Sequence, residues 1–158
     1  MKSSDMFAAF LAQGKLRKQK AGFLQVEALL KESMLDLKEA RKIVHLAERA
    51  TYLLAYTAML KSGRALLLLK GYVPDDGGQH KTVVEVTSMV LGSKYARITA
   101  HFETMRRKRN ELTYEAGVLL SKSEAEQAFQ DAIALVKNIA AEARAASPQL
   151  ELKFELDL

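Results

Sequence analysis

The sequence predicts an all-α domain, an antiparallel up-and-down helical bundle over residues 1–146, followed by a strand-like tail over 147–158. Three observations predict it. Apolar residues recur at alternating spacings of three and four through most of the chain, which is the period of a helix with one buried face. Only two prolines, Pro74 and Pro148, interrupt the long segments. Connections between periodic segments are short, and short connections force neighbouring helices to run antiparallel.

The first helix is expected to start at a Ser4-Asp5 cap and to run through Phe7, Phe10 and Leu11 into Lys15-Leu16-Arg17-Lys18-Gln19-Lys20. Cations in a last turn suit the helix macrodipole, so this basic run has a purely structural reading beside a nucleic-acid one. The second helix spans about Phe23 to Val44, with Val26, Leu30, Ser33, Leu37, Ala40 and Val44 on one stripe. The third, about Ala47 to Lys70, repeats the spacing with Tyr52, Ala55, Met59, Ser62, Leu66 and Leu69. Gly71-Tyr72-Val73-Pro74-Asp75-Asp76-Gly77-Gly78 reads as a loop. A short helix from about His80 to Leu91 follows, stopped by Gly92. The fifth helix is expected from Ser93 to Gly117, and the sixth from Ser121 or Ser123 to about Ala145, with Ser123 and Gln127 as cap chemistry.

The tail changes code. Leu150, Leu152, Phe154, Leu156 and Leu158 alternate with Glu151, Lys153, Glu155 and Asp157, which is the period of a strand. A lone strand leaves its backbone unpaired. No other segment carries convincing strand code, so two identical tails pairing across a two-fold axis are the simplest expectation, with a frayed end as the other.

Composition bounds the chemistry. Apolar residues at 49% and charged ones at 27% describe a globular chain that can bury a core. The absence of cysteine excludes disulfides and thiolate metal sites. His45, His80 and His101 lie at no metal-ligand spacing, so neither a metal nor a cofactor is expected. No long apolar run follows the first residues, and Ala65 to Leu69 is far too short to span a bilayer. The expected address is cytoplasmic, with no membrane partner. A formal charge of +5 permits nucleic-acid contact and equally fits a solvated helical face.

The fifth helix carries the chemistry. Tyr95, Ile98, Phe102, Met105, Arg109, Leu112, Ala116 and Leu119 form one stripe, and Arg109 stands in the middle of it. A buried guanidinium is costly unless it is paired or faces a polar cleft. Arg106, Asn110 and Tyr114 share a second face at spacings of four. Arginine presents a planar fork of donors that matches phosphate oxygens, and asparagine can fix a ribose or a base edge. The structural reading is a buried Arg109 held by Asp36 or Glu39 of the second helix. An acid could also hold the arginine in aim, so the two readings coexist.

At these residues the chain resembles a known family. Arg109-Asn110 followed by Tyr114 is similar to the Arg-Asn-x-x-x-His signature of HEPN domains. Ala55-Tyr56-Thr57-Ala58-Met59-Leu60-Lys61-Ser62-Gly63-Arg64-Ala65-Leu66, then Gly71-Tyr72 and His80, resemble the family's third helix and following loop. The likeness covers about Phe23 to Lys137. It implies a helical homodimer whose signature helices face each other across a cleft. Many members are metal-independent RNases, often toxins paired with a nucleotidyltransferase antitoxin. The resemblance implies catalytic positions at Arg109 and Tyr114, and phosphate contacts from Arg106, Arg109 and Asn110. Tyr114 stands where the RNases have histidine. An ordinary phenol, with a pKa near ~10, is a poor base at neutral pH but can donate a hydrogen bond to phosphate. The tyrosine that some antitoxins modify lies two residues further on, where this chain has Ala116. His80 also reads as a cap or packing residue, and His101 as a helix-flank residue.

Three functions follow as expectations. The first is a HEPN-like dimer that binds RNA or nucleotide phosphate, as a toxin-antitoxin type of component. The second is a non-catalytic module docking a protein partner such as a nucleotidyltransferase. The third is an active metal-independent endoribonuclease.

Overall fold

The computed structural model describes residues 3–75, 77 and 79–150. Six helices and one two-stranded sheet make up these residues: α1 Ser3–Ala12, β1 Leu16–Lys18, α2 Phe23–Ile43, α3 Glu48–Leu69, β2 Tyr72–Pro74, α4 Gln79–Leu91, α5 Ala96–Tyr114 and α6 Lys122–Ala146. The molecule is an all-α bundle with a small β element. Among the described residues, no helix is long and apolar enough to cross a membrane.

α3 is the central element. α2 and α6 pack on it and on each other, and α4 and α5 do the same. The stripes read from sequence are the buried ones: all six expected residues of the α2 stripe lie in the core, as do Tyr52, Ala55, Met59, Ser62 and Leu66 of α3. α4 approaches α3 so closely at Gly63 that an added Cβ would stand 2.7 Å from Val83 Cγ1 and 2.9 Å from Thr87 Oγ1. Glycine there lets two helix backbones meet, and it sets the distance of the α4 N-terminus from α3.

Three helix boundaries and one cap differ from expectation. The basic run is not the end of α1. Gly14, at φ +71°, reverses the chain: its N–H bonds Leu11 O at 3.1 Å and the Lys15 N–H bonds Phe10 O at 3.0 Å. Those two bonds make a Schellman motif, which satisfies the last carbonyls and ends a helix. Leu16, Arg17 and Lys18 then pair antiparallel with Pro74, Val73 and Tyr72. The segment expected to be wholly loop therefore contains a strand. Two isolated three-residue strands would have little reason to form. Here Leu16 is buried in the core and Tyr72 stacks on Phe7 at 4.3 Å between ring centroids.

α5 is shorter than expected at both ends. Ser93–Tyr95 form a tight 3₁₀ turn after Gly92 at φ +75°, and Glu115 is already extended. Ala116 and Leu119 thus leave the buried stripe, and both are exposed. Ser121, one of the two expected starts, caps α6 through a capping box with Glu124, each side chain bonding the other's backbone N–H at 3.1 Å, so the cap chemistry is not that of Ser123 and Gln127. After α6 the chain places Leu150 in the core. The rest of the expected tail strand, 151–158, lies outside the described residues.

Candidate functional site

A cleft of about 460 Å³ opens between α3, α4 and α5, lined by Arg64, Gly77, Gln79, His80, Lys81, Arg106, Arg109, Asn110 and Tyr114. Its composition follows from the packing. α5 buries Phe102, Met105 and Leu112 against the bundle, so the residues one turn to the side, Arg106 and Asn110, open onto the gap beside α4. α3 contributes Arg64, next to the Gly63 contact, and α4 contributes its first turn, whose backbone N–H groups have no partner within the helix.

All four residues singled out in α5 meet here. Arg109 is half-buried, and its Nη1 donates to Asn110 Oδ1 at 3.2 Å. It does not pair with α2. Asp36 receives Lys61 Nζ at 2.8 Å, and Glu39 is exposed. The reason is topological: α2 packs on α3 and α6, whereas α5 packs on α3, α4 and α6. The stripe position that would strand a guanidinium in a closed core is instead at a cleft. Arg106 is held by Glu103 through Nε at 3.0 Å and Nη2 at 2.7 Å. The same bonds, Arg106 foremost, hold the Glu103 carboxyl below the usual range. Tyr114 stands at the rim, 79% exposed.

Sequence reasoning missed Arg64, Lys81 and the role of His80. An arginine inside the most apolar stretch of α3 was the available signal for Arg64. Its Nε is buried and has no hydrogen-bond partner among the described residues. His80 is more than a cap. Its Nδ1 is 2.9 Å from the hydroxyl of Tyr56, which is 1% exposed and sits two turns before Arg64 on α3. Burial pushes the Tyr56 phenol up to about 12, against the opposing pull of Arg109 and Arg106. Burial also lowers His80, and Arg109, Arg64 and Arg106 lower it further. Around neutral pH the pair is an uncharged phenol bonded to an uncharged imidazole.

His101 lies outside this cleft and is not a bare flank residue. Its Nδ1 is 2.7 Å from Asp131 Oδ2. Asp131, 3% exposed, also accepts two bonds from Arg97 at 3.0 and 3.1 Å and one from Gln127 at 3.0 Å. Burial would raise this carboxyl, but the bonds from Arg97 and His101 outweigh it and hold it below the usual range. The cluster ties α5 to α6.

The chain matches no protein-family model and no curated protein.

Proposed function

We propose that the cleft binds the phosphate of RNA or of a nucleotide. One observation carries this reading: four cations from three helices, Arg64, Lys81, Arg106 and Arg109, line one small space, and no carboxylate lines it among the described residues. Like charges converge at a cost unless an anion joins them. Guanidinium forks suit phosphate oxygens, and the N-terminus of α4 adds the favourable end of a helix dipole. The HEPN-like pattern of α3 and α5 supports the same reading, along with a homodimer and a toxin-antitoxin type of role. Docking of a partner such as a nucleotidyltransferase is the second reading, favoured by Tyr114, 79% exposed at the cleft rim.

Fluorescence anisotropy with a labelled single-stranded oligoribonucleotide tests binding. Arg109→Ala removes a charge-assisted contact worth roughly 1.5–3 kcal/mol, so affinity should fall about 10- to 100-fold and the salt dependence should flatten. Arg49→Ala, an exposed change at the far end of α3, should leave affinity nearly unchanged. Equal losses from the two variants would reduce the cleft to nonspecific charge. The same samples, incubated with RNA in EDTA, show whether binding leads to cleavage.

A further inference from the structure

We propose that the cleft recognises a terminal phosphate, the monoester or diphosphate end of a nucleotide or oligonucleotide, rather than an internal phosphodiester. The inference rests on the phosphate-binding reading above and is drawn from which atoms remain free to meet a ligand.

Tyr56 is buried, and its hydroxyl has a single partner among the described residues, His80 Nδ1. If the phenol accepted that bond, its own proton would be stranded in the core, at the cost of an unmade buried hydrogen bond. The phenol therefore donates, Nδ1 accepts, and the neutral imidazole carries its proton on Nε2. His80 thus offers the cleft a donor. Asn110 is fixed in the same sense: its Oδ1 already accepts from Arg109, which leaves its amide N–H groups. Arg64, on the cleft wall, adds the N–H groups of its guanidinium, and Lys81 an ammonium. The inner wall is thus an array of donors on six side chains.

The array exceeds what an internal phosphodiester can use. A phosphodiester offers two non-bridging oxygens and one negative charge, and its chain must leave on both sides. A phosphomonoester offers three terminal oxygens and a charge of about −1.5 to −2 near neutral pH. Of the four cations, Glu103 offsets only Arg106, and it shares itself with Arg107. Among the described residues the other three cations, Arg64, Lys81 and Arg109, have no bonded acid, an excess that a monoester or diphosphate end meets better than one phosphodiester does.

The test uses one oligoribonucleotide sequence with hydroxyls at both ends, with a 5′-phosphate, or with a 3′-phosphate, labelled at the opposite end in each case. Uridine, uridine monophosphate and pyrophosphate serve as competitors. At least one phosphorylated form should bind ten times or more tighter than the hydroxyl form, and pyrophosphate should displace it while uridine does not. Displacement by the monophosphate at lower concentration than by the oligonucleotide would identify a free nucleotide as the source. Tyr56→Phe keeps the ring and frees the imidazole, so it should shrink the phosphorylated-to-hydroxyl ratio severalfold. Equal binding of all three forms, still weakened by Arg109→Ala, would overturn end recognition and leave RNA binding standing. No binding by any phosphate ligand would remove both.

Discussion

At the residue scale, the site was legible where one helix presents it and illegible where two helices must meet. Arg106, Asn110 and Tyr114 share a face at spacings of four, and the cleft takes all three. Arg64, Lys81 and the Tyr56–His80 bond depend on how closely α4 approaches α3 at Gly63, and no local pattern states that distance. The bond makes His80 a reporter of folding. Its pKa in the folded chain lies below the ordinary 6.5, through burial and then Arg109, Arg64 and Arg106, with Lys81 and Tyr56 as the other titratable neighbours. As pH falls through 6.5 the unfolded chain takes up this proton before the folded one does. Stability should therefore decline with acidification below that point and gain nothing from this group above it. Melting temperature followed from about pH 7.5 to about pH 5 should fall more steeply in the wild type than in His80→Gln. His45 and His101 remain in both proteins, so the difference isolates His80. Parallel curves would show that the imidazole is not perturbed by its surroundings.

At the scale of elements, the long helices were read correctly because each buries a continuous stripe, and burial at a period of 3.6 residues leaves its mark in sequence. The three-residue strands left no such mark. β1 and β2 lie more than fifty residues apart and owe their pairing to Leu16 and Tyr72 finding the core beside Phe7. The one local clue was Gly14. Reading the cations as a helix end weighed the macrodipole, worth a few tenths of a kcal/mol at an exposed site, and overlooked a glycine whose freedom at positive φ decides where the helix stops. Gly14→Ala should test which effect dominates. Nothing lies within 4 Å of an added Cβ, so its cost is the left-handed backbone alone, roughly 1–2 kcal/mol. Chemical denaturation should show that loss with an unchanged m-value. A neutral or stabilised variant would mean that α1 can continue into the basic run and that the β1–β2 pairing is not needed for the fold.

At the scale of the whole molecule, the bundle buries its core well yet leaves large apolar side chains exposed. Leu119 is 85% exposed on the segment after α5, and Lys108 Nζ holds that residue's carbonyl at 2.7 Å. Tyr114, 79% exposed, ends the same helix at the cleft rim. Single exposed apolar residues are ordinary on protein surfaces, so these two do not define an interface by themselves. Both lie, however, at the C-terminal end of α5, Tyr114 on the cleft rim and Leu119 on the segment that follows, and a two-fold partner seated on that end would cover them. A dimer of this kind is self-complementary, so one substitution alters both halves of its interface. Light scattering at micromolar concentration should therefore report a dimer for the full chain. Leu119→Asp, exposed and free of core contacts, should shift it toward monomer without lowering the monomer's own stability. If the chain is monomeric throughout, each cleft works alone and Tyr114 meets ligand or solvent instead of a partner. If the chain dimerises but Leu119→Asp leaves the affinity intact, the interface lies elsewhere, and residues 151–158 become the first segment to truncate.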